Sequence, residues 1–153
     1  MEVVFAIAIL IPSMIILGDL YLLMIGSREN EDLCRNAARA AAAGAPAEAN
    51  ARAGAVVSST NKQEASPLIP AFKLIAPVFV EVVGQNQDAS SEQDKVIAEA
   101  MPVNGTVKVT TEVEIKPFLL HVFFGGNKAF RFQAQQSYPI SYTPPVGQLD
   151  IIH

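Results

Sequence analysis

The sequence predicts an α+β fold: a long amino-terminal helix, hydrophobic first and amphipathic afterwards, packed on a small antiparallel β-sheet. Three observations predict it. Residues 3–25 form a stretch of 23 with a single charge, Asp19. Residues 27–43 continue a helical pattern without Gly or Pro until Gly44 and Pro46. Two later stretches, 106–116 and 129–138, alternate apolar and polar residues with the period of a strand.

The apolar stretch is long enough to cross a bilayer, since ~20 apolar residues cover ~30 Å of hydrocarbon as a helix. It exceeds a signal-peptide core, has no basic segment in front and lacks a small-x-small cleavage pattern behind. Two readings of Met1 stay open: the initiator, or the first residue left after a basic leader has been removed. The basic residue behind the stretch, Arg28, is followed at once by Glu29, Glu31 and Asp32, so charge bias does not orient the span. Together with its extension the helix covers residues 1–43, and about 42 residues at 1.5 Å each give roughly 63 Å. A small α+β unit occupies the remainder, 44–153.

Within the helix, Pro12 removes one backbone hydrogen bond and is expected to bend or loosen it. Asp19 is a carboxylate in an apolar run, where an ion needs a partner; a hydroxyl such as Ser13 or Tyr21 of a neighbouring helix, or backbone groups freed by Pro12, are the candidates. Beyond Gly26, Leu33, Ala37, Ala40, Ala41 and Gly44 recur at helical spacing, a face of small residues that permits close approach. Arg28 with Asp32, and Glu31 with Arg35, are i,i+4 opposite-charge pairs. Pro46 suits the first turn of a second helix, alanine-rich over 47–57 and ended by the Ser58–Asn61 cluster. Residues 63–70 read as a loop. Residues 77–83 read as a β-branched strand closed by Gly84, and 85–94 as a polar loop.

Asn104-Gly105 is a hairpin-turn signal and also opens an Asn-Gly-Thr sequon; the turn is the favoured reading. In the strand 106–116, Val107, Val109, Thr111, Val113 and Ile115 share one face, with Lys108, Thr110, Glu112, Glu114 and Lys116 on the other. Pro117 ends it. Gly125-Gly126-Asn127 turns the chain into 129–138, where Phe130, Phe132 and Ala134 lie opposite Arg131, Gln133 and Gln135. Pro139, Pro144 and Pro145 are expected to end regular structure. Val107, Val109, Val113, Ile115, Phe130 and Phe132 are expected to face Leu33, Ala37 and Ala41 across the helix–sheet seam.

The composition narrows function. A net charge of −4 and a pI near 5.1 argue against nucleic acid as a partner. The lone cysteine, Cys34, excludes an intramolecular disulfide and reads as a small packing residue. His121 and His153 have no metal-ligand spacing, and no catalytic elbow, phosphate loop or Cys/His pair is present. Glu112 and Glu114 read as a solvated strand face. The expectation is therefore no enzyme, no cofactor and no metal.

Two stretches, taken together, resemble a known family. The first is the proline-interrupted span, then Gly18-Asp19-Leu20, then Leu33-Cys34-Arg35-Asn36-Ala37-Ala38-Arg39-Ala40-Ala41-Ala42. The second is the Thr/Val strand, Lys116-Pro117-Phe118-Leu119-Leu120, a Gly-Gly turn and a strand ending in Tyr138-Pro139. They resemble the amino-terminal segment and carboxy-terminal hairpin of TadE-like pseudopilins of the tight-adherence pilus system, which are related to type IV pilins. The resemblance covers about half of the chain. It departs from the family in that Glu2 and Phe5 are separated and lie far from Pro12.

The resemblance implies a pilin-like fold and a structural role in an extracellular bacterial filament, as a major or minor subunit. It implies further copies of the chain and other pilus-assembly components as partners, and an inner-membrane location before assembly. It also implies assembly roles for Glu2, Pro12 and Asp19, with the α-amino group of a neighbouring subunit as the partner of Glu2. The alternative is a bitopic envelope protein whose sheet domain binds a ligand or partner protein.

Overall fold

A computed structural model describes residues 2–63, 69, 71–83, 103–118, 120 and 129–142. The chain forms helix α1 (Glu2–Ala42), a single 3₁₀ turn (Pro46–Glu48), helix α2 (Ala49–Gln63) and strands β1 (Phe72–Val83), β2 (Val103–Ile115) and β3 (Phe130–Tyr142). The strands form an antiparallel meander in the order β1-β2-β3. Both helices lie on the same face of it, α1 against β2 and β3 and α2 against α1 and β1. This is the expected α+β layout of a long apolar helix with a small sheet.

α1 is unbroken through Pro12. The missing proline N–H deprives one carbonyl of its donor. The Ser13 hydroxyl donates to the neighbouring one, that of Ile9, at 2.8 Å. Forty-one residues make a rod of about 60 Å.

The core sits where the second half of α1 crosses the sheet. Val107, Val109, Thr111, Val113 and Ile115 of β2 are fully buried, as are Cys34, Ala37, Ala38 and Ala41 of α1. Each buried valine or isoleucine contributes about 1.5–3 kcal/mol. The opposite face is wet and paired across strands: Gln133 donates to Glu112, Gln135 to Thr110, and Arg131 lies 3.6 Å from Glu114.

Several boundaries differ from those expected. Asn104 and Gly105 do not turn the chain; they lie inside β2, opposite Val83 and Val82 on one side and Ser141 and Ile140 on the other. A central strand with partners on both edges overrides a local turn preference. β3 runs through Pro139, which stands opposite Thr106. It is accommodated because, among the described residues, β3 is an edge strand with a strand neighbour on one hydrogen-bonding side alone.

β1 begins at Phe72, not at Pro77, because the Asn61 side chain holds it in place: Nδ2 donates to the Phe72 carbonyl and Oδ1 accepts from the Phe72 N–H, both at 2.8 Å. Pro77 falls within a register shift between Ile75 and Phe79, again at an edge. α2 continues past Ser58 to Gln63 because Ser59 and Thr60 turn their hydroxyls back to the Val56 carbonyl and stay helical. Asp32 is reached by Arg35, one i,i+3 step away at 3.5 Å, in place of the two i,i+4 pairs expected. Gln63, expected to open a loop over 63–70, instead closes α2; residues 64–68 of that loop, the expected loop at 85–94, the turn at 125–127, both histidines and the tail from 143 lie outside the described residues.

Candidate functional site

α1 has two environments. Residues 3–14 are exposed throughout: Val4 is 72% exposed and Met14 is 66% exposed. This helix is long and apolar enough to cross a membrane, and little of its apolar stretch is covered by the rest of the chain. From Asn30 onward the helix is clad by the sheet and α2. The junction between these environments is the candidate site.

Asp19 stands at that junction, 4% exposed. Its two carboxylate oxygens accept from the backbone N–H groups of Phe118 at 2.7 Å and Leu120 at 2.9 Å. The segment that follows β2 is thereby fastened to the span. Charge-assisted bonds of this kind are shorter and about twice as strong as neutral ones. The partner expected for Asp19 was a hydroxyl of a neighbouring helix or a backbone group freed by Pro12; the groups found within the chain are two amides of its own sheet domain. Side-chain chemistry could not have named them, because backbone donors carry no sequence signature.

Above the Asp19 clamp, α1 passes the end of β2 at Gly26. A Cβ there would overlap the Ile115 side chain, so the close approach requires glycine. Around the clamp, Ile15, Gly18, Asp19, Tyr21, Leu22, Ile25 and Phe118 line an open, almost wholly apolar groove of about 330 Å³. Phe118 is 68% exposed beside it.

Farther along, polar side chains of α1 reach sheet carbonyls at regular intervals. The Asn30 amide donates to the carbonyls of Phe132 at 3.0 Å and Thr111 at 3.5 Å, and the Thr111 hydroxyl returns to the Asn30 carbonyl at 3.4 Å. The Cys34 sulfur lies 3.3 Å from the carbonyl oxygens of both Val109 and Ala134. Arg39 donates to the Tyr138 hydroxyl at 2.9 Å, with its guanidinium 5.6 Å from the ring centre. One helical step from 30 to 34 is about 6 Å, and two strand residues span about 6.6 Å. The steps match, so α1 runs antiparallel to β2 and parallel to β3, with a contact on both strands at each turn.

Burial pushes the Cys34 thiol up from its ordinary value. A buried, protonated thiol that donates to carbonyls is a structural group with little nucleophilic character.

Of the residues singled out in the sequence, Leu33, Ala37, Ala41, Val107, Val109, Val113 and Ile115 meet at the seam, and Phe130 and Phe132 are half-buried at its β3 margin. Pro12 lies on the bare arm. Glu2 opens α1, some 25 Å from Asp19 at 1.5 Å per residue. The structure does not bring those three together within one chain. Asn30, Asn61 and the segment at Phe118 were missed. A buried asparagine in a helix flanked by charges looks like a surface residue, and only the sheet carbonyls opposite reveal its use. Among the described residues no group of three or more His, Cys, Asp or Glu is gathered. Comparison with known proteins returns no matching family model, no matching curated protein and no matching solved structure.

Proposed function

We propose that the protein is a structural subunit of an extracellular bacterial filament, held in the inner membrane by α1 before assembly and packed through it into the filament core afterwards. The observation that carries this reading is the bare first half of α1. A helix apolar on all sides requires apolar surroundings, and lipid or neighbouring copies of the same helix supply them. Head-to-tail helical contact between copies generates an open filament. The resemblance of the span and hairpin to TadE-like pseudopilins supports the same reading, with Glu2 and Pro12 on the arm that enters the core. The sheet domain would face outward.

A second reading, a bitopic anchored envelope protein with a partner-binding sheet domain, is favoured by Asp19. Its carboxylate is bonded within its own chain and needs no neighbouring subunit. Shearing of cells that express the full chain separates the two. The chain recovered as filaments in the sheared supernatant supports the subunit; the chain confined to the membrane fraction, with no filaments by electron microscopy, supports the anchor.

A further inference from the structure

We propose that the edge at Phe118 is a second membrane contact, inserted into the lipid beside the span. The proposal rests on reading residues 3–25 as membrane-spanning and adds a partner, a phospholipid bilayer, for a part of the sheet domain. The depth argument comes from both ends of the span. Asp19 lies sixteen residues beyond Val3, about 24 Å along an upright helix, in a hydrocarbon layer of ~30 Å. It also lies six residues short of Ile25, about 9 Å. Both estimates place Asp19, and the Phe118 amide bonded to it, roughly 6–9 Å inside the near edge of the hydrocarbon. Interfacial elements insert to about 5–10 Å.

The local chemistry fits that depth. A backbone N–H in lipid must be satisfied within the protein. Pro117 has none, and those of Phe118 and Leu120 are both given to Asp19. The same two bonds compensate the carboxylate, whose burial would otherwise be costly. The Phe118 ring, 68% exposed, continues the apolar wall of Ile15, Leu22 and Ile25, with Tyr21 at its side. Aromatic rings favour the boundary region. Lys116, two residues before Phe118, and Arg28, three residues beyond Ile25, are both exposed, and at this depth they would stand at the level of the lipid phosphates.

The chain contains no tryptophan, so single substitutions report depth without background. Phe118→Trp removes no buried packing. The full chain carrying it would be placed in phosphatidylcholine–phosphatidylglycerol vesicles with acyl chains brominated either near the headgroup or near the chain end. Leu10→Trp, deep in the span, serves as the companion. The expected result is strong quenching of Phe118→Trp by the shallow bromines, weaker quenching by the deep ones, and protection from aqueous iodide. Leu10→Trp quenched while Phe118→Trp responds to iodide and not to bromine would overturn the lipid contact and leave the span intact. If neither variant is quenched by bromine, the membrane reading itself fails and takes the proposal with it. Protection of Phe118→Trp that disappears as protein is diluted in lipid would assign the edge to a second copy of the chain, and would also overturn it.

Discussion

Asn30 and Asp19 share a logic that residue type alone does not disclose: each is a polar side chain spent on backbone groups of a distant strand or of the segment after it. Asn30→Ala leaves the carbonyls of Thr111 and Phe132 without this donor in a buried seam, so a loss of about 1–3 kcal/mol is expected, read as a lowered midpoint of thermal unfolding in detergent. Asp19→Ala frees the amides of Phe118 and Leu120. Their hydrogen exchange should accelerate while that of Val109 and Val113 stays slow. Equal rates in variant and parent at Phe118 would show that the clamp is dispensable. Cys34 should resist maleimide in the folded chain and react fully after denaturation, because its thiol is buried and held protonated. The sequence marks Asp19 as exceptional, since one carboxylate in an apolar run is legible at sight. It does not mark Asn30, whose neighbours Glu29, Glu31 and Asp32 make an exposed position the natural expectation. The difference is one of background: a charge stands out in a span, whereas an amide does not stand out among charges.

At the scale of elements, two glycines of α1 look alike in the chain and differ in the fold. A Cβ at Gly18 would meet nothing within 4 Å, whereas one at Gly26 would overlap Ile115. Gly26→Ala is therefore expected to destabilise by about 1–3 kcal/mol through overpacking. Gly18→Ala should be neutral or slightly stabilising, by up to ~1 kcal/mol of helix propensity. Thermal unfolding of the two variants side by side checks the contrast, and equal losses would contradict it. The strands β2 and β3 were legible because their alternation has only one face that can be buried. Their ends were not. Asn104-Gly105 and Pro139 carry strong local signals, yet a central strand and an edge strand respectively absorb them. The start of β1 was hidden for another reason: it is fixed by Asn61, whose two bonds to Phe72 arise from the tertiary fold.

The molecule as a whole divides its labour along one helix. Residues 3–14 add nothing to the described core, while residues from Asp19 onward are fastened to the sheet domain. Removal of residues 2–14 is expected to leave the unfolding midpoint within about 2 °C of the parent, since the core of the small domain is intact. The shortened chain should lose its partition into vesicles and fail to enter filaments. A fall in the midpoint well beyond that margin would mean that the arm folds back on the domain in solution.

The register shift in β1 has a consequence for how this sheet can change length. Four steps from Ile75 to Phe79 are set against two from Thr110 to Lys108, so the outer strand carries two extra residues over that interval. Because the surplus is even, the parity of the strand survives it: Phe72 opposite Val113 and Val80 opposite Val107 still look toward the helices. The outer edge can thus gain or lose chain in pairs without turning its face, while a single inserted residue would exchange inside for outside over everything that follows unless a bulge absorbs it.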